Sequence, residues 1–253
     1  MHETVQSGNF VFDSGRPLIT IPEGHSLDNL LAGFSQNVID IADQSGLAII
    51  GGESGLGKTE LFLGTRPEFG VGGITEVLSS QGRTYNYFDA SAGVDKTLVS
   101  ILDPNLGDKP EFVLIDESLK INRPGDSKAI TFSHVDQLLK QGIKVVLVGG
   151  GNDSASDQNL LIREELSQSG IEIDDEQLLE FPALVLNHAQ SVDVLLKRNR
   201  GITDEQADEI VNILDRRNIP KIFRVLLQCP LNKQEVLPRE FDSLTKHIEF
   251  QPI

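Results

Sequence analysis

Residues 52–59 constrain the fold of this chain more than any other segment. They read Gly-Glu-Ser-Gly-Leu-Gly-Lys-Thr and follow four apolar residues, 47–50, that predict a buried strand. The glycines allow the backbone to curl so that successive N–H groups point inward, and a helix beginning near Lys58 adds its positive N-terminal end. This spacing of glycine, lysine and threonine between a strand and a helix is typical of a phosphate-binding loop.

We expect every residue of this loop to contribute to phosphate binding. The Lys58 ammonium would reach the outer phosphates of a nucleotide, and the Thr59 hydroxyl would bind Mg²⁺. Backbone N–H groups would supply further contacts. The predicted binding residues are Gly52, Glu53, Ser54, Gly55, Leu56, Gly57, Lys58 and Thr59.

An acidic pair follows a second apolar run at 112–115. A carboxylate at a strand end suits the hard cation Mg²⁺, so we expect Asp116 to hold the metal beside Thr59. Glu117 is placed to orient the water that attacks the terminal phosphate, or to accept its proton. Acidic pairs also occur in ordinary surface turns, so this interpretation depends on the phosphate-binding loop.

A third polar position is Asn152, which follows the apolar run 145–148. A neutral side chain at that strand exit could hydrogen-bond the attacking water or the terminal phosphate. Because glycines at 149–151 leave the register open, Asp153 is an alternative.

The order of the elements predicts an α/β fold. Helical patterns alternate with predicted strands, which indicates a parallel sheet covered on both faces, and ligands gather at the carboxyl ends of such strands. We predict the parallel sheet of a P-loop NTPase, sandwiched by helices and followed by a small all-α lid domain. The predicted strands of this sheet are 47–50, 83–88, 112–115, 145–148 and 179–185.

Three parts follow one another along the chain. Residues 1–44 contain a weakly alternating segment, 9–21, that could form a hairpin, and then a helix from Ser26. Residues 45–187 form the predicted core. Residues 188–253 form the predicted lid, because beyond Asn187 the pattern is only helical, with candidate helices at 191–198, 204–217 and 221–228.

The formal net charge of −16 lies in the first three quarters of the chain. Residues 188–253 carry ten basic and ten acidic residues, which leaves 12 of the 22 basic and 28 of the 38 acidic residues in 1–187. An acidic body repels nucleic acid, so protein is the more plausible large partner.

No apolar stretch is long enough to span a membrane, the N-terminus lacks the features of a signal peptide, and Cys229 is the single cysteine. We expect a soluble cytoplasmic protein.

These motifs together resemble the AAA+ ATPases. The resemblance rests on the loop GESGLGKT, the strand FVLIDE, the polar exit after VVLV and the trailing helical region, and it covers roughly residues 45–228. It implies ATP and Mg²⁺ as ligands, and a homo-oligomer whose sites are completed by an arginine finger from a neighbouring subunit. The segment 64–73 corresponds to no element of that family.

The resemblance also implies roles for two arginines. Arg224 matches the sensor arginine of the family's lid, with Lys221 as the alternative. Arg163 is the only basic residue between Lys144 and Lys197, which makes it the candidate finger. It could equally form surface ion pairs with its glutamate neighbours.

We therefore expect a Mg-dependent ATPase in which hydrolysis moves the lid and remodels or assembles a protein client. A nucleotide-dependent switch or scaffold that hydrolyses ATP only weakly is the first alternative. A small-molecule kinase is the second, although the sequence has no evident arginine-rich lid for a phosphate acceptor.

Overall fold

The computed structural model describes residues 11–12, 19–21, 27–52, 56–64, 72–103, 105, 107–121, 129–150, 154–182, 184–198, 202–216, 221, 226 and 248–249. The strands are β1 (Val11–Phe12), β2 (Ile19–Thr20), β3 (Leu47–Gly51), β4 (Tyr85–Asp89), β5 (Phe112–Asp116), β6 (Lys144–Val148), β7 (Leu178–Glu180), β8 (Leu184–Val185) and β9 (Ile248–Glu249). The α-helices are α1 (Leu27–Ser45), α2 (Ile74–Ser80), α3 (Lys96–Leu102), α4 (Phe132–Lys140), α5 (Ala155–Gln168), α6 (His188–Arg198) and α7 (Asp204–Arg216). A π-helix spans Lys58–Phe62, and short 3-10 helices span Ser118–Lys120 and Asp175–Gln177.

Five strands form the central sheet, in the order β4-β5-β6-β3-β7, and all of its pairs are parallel. β3 and β5 are buried along their full length, as expected for continuous apolar strands covered on both faces. β6 lies between them, so the phosphate-binding loop and the acidic pair leave the same edge of the sheet on either side of one strand.

Alternate side chains of each strand enter two separate hydrophobic cores, because successive residues of a strand point to opposite faces. Ala48 and Ile50 of β3 join one core with apolar residues of α1, α2, α6 and α7. Leu47 and Ile49 join the other core with residues of α3, α4 and α5. The predicted parallel sheet sandwiched by helices is confirmed.

Helix α1 covers the sheet beside the loop. Its apolar residues recur at helical spacing, and the buried ones are Leu27, Leu31, Val38, Ile39 and Ala42. Although α1 has 19 residues, no helix in the described part of the chain is long and apolar enough to cross a membrane.

Three aromatic rings pack the end of the π-helix against α1 and the segment after β7. Phe62, at the end of the π-helix, meets Phe34 of α1 with ring centroids 5.3 Å apart, and Phe181 after β7 lies 5.5 Å from Phe34 and 5.8 Å from Phe62. Phe62 and Phe181 are completely buried. Because edge-to-face aromatic contacts have defined geometry, the cluster fixes the direction in which the loop leaves the core.

Helices α6 and α7 pack against each other and against the first of the two cores. Their buried apolar residues belong to the same hydrophobic cluster as Phe62 and Phe181, and they are Val194, Leu195, Ala207, Ile210, Val211 and Leu214. The ring of His188, at the start of α6, bonds Asp208 and Asp215 of α7 at 2.7 and 3.1 Å, and these hydrogen bonds raise the pKa of His188. Of the third predicted helix, only Lys221 and Leu226 are among the described residues, so a separate lid domain stays a prediction.

The N-terminal strands pair with distant parts of the chain, and the hairpin expected at 9–21 does not form between them. β1 pairs antiparallel with β9, and β2 pairs parallel with β8. The last predicted strand, 179–185, is two strands, β7 and β8, separated at Phe181 and Pro182. Proline lacks the N–H that a continuous ladder needs, which explains the interruption.

Candidate functional site

The phosphate-binding loop follows β3 directly and ends in the π-helix. Gly57 has φ 96° and ψ 19°, a left-handed conformation that favours glycine. The backbone N–H of Phe62 donates to Gly57 O at 3.1 Å, and that of Leu63 donates to Lys58 O at 2.7 Å, which closes a single wide turn. Such isolated π turns are frequent at functional sites. Of the predicted loop residues, Glu53, Ser54 and Gly55 lie outside the described residues.

The Lys58 side chain folds back along the loop. Its ammonium donates to the carbonyl of Gly52, and the residue is only 6% exposed. A Cβ at Gly52 would lie 2.9 Å from Cδ of Lys58, so the absence of a side chain at Gly52 permits this approach. A buried charge needs a compensating partner. A phosphate bound in the loop would compete with the Gly52 carbonyl for this ammonium.

Thr59 and Asp116 are in direct contact across the edge of the sheet. The Thr59 hydroxyl donates to Oδ2 of Asp116 at 2.7 Å. The Tyr87 hydroxyl, from the neighbouring strand β4, donates to the same oxygen at 3.3 Å, and the Glu117 N–H donates to Oδ1 at 2.8 Å. The structure therefore brings together the hydroxyl and the carboxylate that the sequence assigned to Mg²⁺.

Asp116 is 3% exposed, and its burial raises the pKa of its carboxyl above the usual range. The hydrogen bonds from Thr59 and from the Glu117 N–H, together with the charge of Lys58, oppose this shift without reversing it. Burial also raises the pKa of Tyr87, which favours the protonated hydroxyl that donates to Asp116. A nearby cation would stabilise the ionised form of this buried carboxyl.

Glu117 has an unusual backbone conformation. Its φ is 53° and its ψ is 39°, and no other non-glycine residue in the described part of the chain has a positive φ. For a residue with a Cβ this conformation costs roughly 1–2 kcal/mol. It directs the carboxylate toward the exit of β6, where a Cβ at Gly150 would lie 2.2 Å from Oε2. Burial, and then the charge of Asp116, raises the pKa of Glu117, which makes it a better proton acceptor.

The other predicted catalytic residues are placed differently. Asn152 and Arg224 lie outside the described residues, as does Asp153. Arg163 is on α5 and forms an ion pair with Asp175, with 2.6 Å between Nη1 and Oδ1. Among the described residues no hydrogen bond or ion pair joins Arg163 to the site.

Two polar residues of the site were not identified from the sequence. β4 pairs with β5 in a register that places Asp89 opposite Asp116. Tyr87 lies two residues earlier on β4, where its hydroxyl can reach the Asp116 carboxylate. Gln158 of α5 accepts a hydrogen bond from the Gly52 N–H at 3.2 Å and is completely buried. The strand register could not be read from the sequence, and a lone glutamine in an amphipathic helix carries no signal of its own. Within the described ranges, no cluster of three or more His, Cys, Asp or Glu residues could hold a metal by itself.

Comparisons with known proteins give matches only among solved structures. No protein-family model matches the sequence, and no curated protein matches it. Domain III of the replication initiation protein DnaA from Thermotoga maritima is 16% identical, with a TM-score of 0.42, over 88% of this chain and 92% of that domain. A RuvB mutant from Thermotoga maritima is 14% identical, with a TM-score of 0.40, over 87% and 64% of the two chains. AMPPCP-bound DnaA from Aquifex aeolicus is 15% identical, with a TM-score of 0.38, over 79% and 61%.

The chain spans less than two thirds of the RuvB and Aquifex aeolicus chains. At such low identity, and with TM-scores below 0.5, the likeness indicates neither activity nor partner.

The buried charge of Asp116 leads to a prediction about stability. Without nucleotide or Mg²⁺ at neutral pH, Asp116→Asn should raise the melting temperature, because an amide fills the same space without a charge. Its oxygen can accept from the Glu117 N–H, and its NH₂ can donate to the hydroxyls of Thr59 and Tyr87. Scanning calorimetry over a pH series measures the difference.

The sign of the pH dependence follows from the raised pKa. Above its folded-state pKa the ionised Asp116 destabilises the fold, and this penalty disappears as the pH falls through that pKa. The advantage of Asp116→Asn should therefore shrink toward acid. Asp193→Asn, at a largely exposed position, should change the melting temperature little. A variant less stable than wild type at neutral and alkaline pH would contradict this account of Asp116.

Proposed function

We propose that this protein binds ATP with Mg²⁺ and hydrolyses it in the manner of an AAA+ ATPase. The observation that carries the proposal is the 2.7 Å hydrogen bond between Thr59 and Asp116, which lie 57 residues apart in the sequence. It joins the hydroxyl of a phosphate-binding loop to a buried carboxylate at the end of another strand. A glycine-rich turn with no ligand gives no reason for that carboxylate to be buried.

The donor atoms fit Mg²⁺. The Thr59 hydroxyl and the Asp116 carboxylate are hard oxygen ligands, which this cation prefers, and the rest of its shell is commonly water and phosphate oxygen. The bound cation would neutralise charge on the phosphates. The chain's own contribution is the Lys58 ammonium inside the loop, which would exchange the Gly52 carbonyl for phosphate oxygens.

Glu117 is the group best placed to act on water. Glu117 directly follows Asp116 in the sequence, and its carboxylate lies at the exit of β6. Its raised pKa suits acceptance of a proton from the attacking water at Oε1 or Oε2. In this proposal Asn152 helps to orient that water, and Arg224 of the predicted lid contacts the terminal phosphate. Lid movement would then follow the state of the nucleotide and change the surface offered to a protein client.

One observation favours the alternative of a weakly hydrolysing switch. Arg163, the proposed arginine finger, is engaged by Asp175 of its own chain. An exposed ion pair of this kind contributes only about 0–1 kcal/mol, so a neighbouring subunit could displace it. If the pair persists in the assembled protein, turnover would stay low and nucleotide binding would serve as the signal.

Removal of the loop charge tests nucleotide binding. Lys58→Ala should abolish measurable ATP binding in a calorimetric titration with Mg²⁺, because the loop loses its only formal positive charge within an acidic body. Lys140→Ala, which removes an exposed lysine, should bind ATP like wild type. Equal affinity of the Lys58 variant and wild type would refute the proposed function.

Two variants test hydrolysis separately from binding. Glu117→Gln should keep near-normal ATP affinity and lose turnover by roughly two to four orders of magnitude, the span usual for a general base. Gly150→Ala should act in the same direction, because its Cβ would occupy the position of the Glu117 carboxylate. Gly107→Ala, where a Cβ meets nothing within 4 Å, is the matched control. Phosphate release within a few-fold of wild type in Glu117→Gln would assign Glu117 a structural role.

Light scattering tests the shared site. A larger mass with a non-hydrolysable ATP analogue than without nucleotide is expected for a homo-oligomer, and mixing Arg163→Ala with Glu117→Gln should restore some turnover. An unchanged monomer mass would instead favour an isolated kinase or switch. An assembled mixture that exchanges subunits but stays inactive would exclude Arg163 as the finger.

A further inference from the structure

Helix α5 presents two adjacent polar side chains to the carboxyl edge of the sheet. Gln158 is completely buried and Asn159 is 5% exposed. Other inward-facing positions of the same helix, such as Ile162 and Leu166, are apolar. Burial of an amide is unfavourable unless it is hydrogen-bonded, so the contacts of these two residues determine what they do.

Gln158 lies between the first residue of the phosphate-binding loop and the exit of β6. Its Oε1 accepts the Gly52 N–H at 3.2 Å. On the other side, a Cβ at Gly149 would lie 2.4 Å from the same oxygen, so a residue with a side chain at 149 would displace the amide. The Gly149 N–H itself donates to Ile50 O of β3 at 2.8 Å. One buried oxygen thus contacts both segments of backbone.

Both backbone polar groups of Gly52 form hydrogen bonds with side chains. Gln158 accepts its N–H, and Lys58 donates to its carbonyl. The side chain that must reach phosphate is therefore connected to α5 through a single loop residue. At the β6 exit, the residue after Gly149 is Gly150, against which the Glu117 carboxylate rests. Gln158 thus accepts from Gly52, to which Lys58 donates, and lies beside Gly149, which precedes the glycine against which Glu117 rests.

Asn159 fixes the helix that carries Gln158. Its Nδ2 donates to Leu179 O of β7 at 2.8 Å. The first turn of α5 also lies close to β3, since a Cβ at Gly51 would be 2.2 Å from Ala155 O and 2.7 Å from Oδ1 of Asn159. The hydrogen bond to Leu179 ties α5 to β7, and the lack of a side chain at Gly51 lets the first turn of α5 lie close to β3. Gln158 therefore projects from a helix that is attached to the sheet.

We infer that Gln158 is a positioning residue that sets the phosphate-binding loop and the β6 exit in one arrangement. It acts through Gly52 on the Lys58 side chain and through Gly149 and Gly150 on the space that the Glu117 carboxylate occupies. A displaced loop would bind phosphate in the wrong place, and misplacement of about 1 Å can reduce turnover up to about a hundredfold. This inference rests on the proposed function, because it assigns a further residue to the same site.

The chain contains a matched control. Gln177 is also a buried glutamine that contacts the backbone of β3, but at the opposite end of the strand. Its Nε2 donates to Leu47 O at 3.1 Å, and its Oε1 accepts the Asp174 N–H at 2.9 Å. Methionine is close to glutamine in length and lacks the amide oxygen, so the same substitution removes the same chemistry at both ends of β3.

The experiment compares Gln158→Met with Gln177→Met. We measure ATP and ADP affinity by calorimetry, kcat and KM by phosphate release, and melting temperature by circular dichroism, with every assay at a temperature where both variants are folded. Gln158→Met should weaken ATP binding or lower kcat by roughly tenfold to a hundredfold. Gln177→Met should stay within about twofold of wild type in both measurements, even if it lowers the melting temperature by a similar amount.

A second variant reaches the same contact from the other side. Gly149→Ala should reproduce the loss seen in Gln158→Met, because its Cβ displaces the amide oxygen. This variant keeps the test decisive if Gln158→Met does not fold. Gly33→Ala, where a Cβ meets nothing within 4 Å, should retain wild-type activity.

Two results would overturn the inference. If Gln158→Met and Gln177→Met change affinity and kcat equally, or if Gly149→Ala retains wild-type activity, Gln158 has only a structural role. Lys58→Ala separates this failure from failure of the proposed function. Loss of ATP binding in Lys58→Ala together with normal ATP affinity and normal kcat in Gln158→Met would reject the positioning role alone, whereas a wild-type protein that does not bind ATP would reject both.

Discussion

The contact between Thr59 and Asp116 is the interaction on which the rest of the site depends. The two residues leave strands that are not neighbours in the sheet, since β6 separates β3 from β5. Their hydrogen bond therefore requires the whole carboxyl edge to be in register, with β6 exiting between them. The aromatic cluster around Phe62 sets the direction of the loop, and Tyr87 supports the carboxylate from β4.

Three features at this edge of the sheet reduce the stability of the fold. Asp116 is a buried carboxyl with a raised pKa, and Glu117 adopts a left-handed backbone conformation. Lys58, a charged residue, is almost completely buried. Each of these costs free energy in the folded chain, and departures of this kind concentrate at functional sites. Their coincidence within one loop, one strand end and one strand exit favours a site that is completed by a polyphosphate and a cation.

The sequence identified the residues whose chemistry is local. The glycine and lysine spacing pointed to Lys58 and Thr59, and the apolar run before Asp116 placed that residue at a strand end. The sequence could not provide the strand order, because the connection between two parallel strands contains no turn motif that shows which strands pair. The pairing of β2 with β8 was missed for the same reason. Gln158 was missed because a polar residue on a helix has the same pattern whether it meets solvent or another backbone.

The most direct test of the central claim is a double-mutant cycle on the Mg²⁺ dependence of ATP affinity. Thr59→Val, Asp116→Asn and the double variant are titrated with ATP at a series of Mg²⁺ concentrations. If the two residues hold one cation, each single variant should lose most of the gain in affinity that Mg²⁺ provides, and the double variant should be little worse than either. Losses that simply add, or a Mg²⁺ dependence that survives in all three variants, would contradict a metal site formed by this pair.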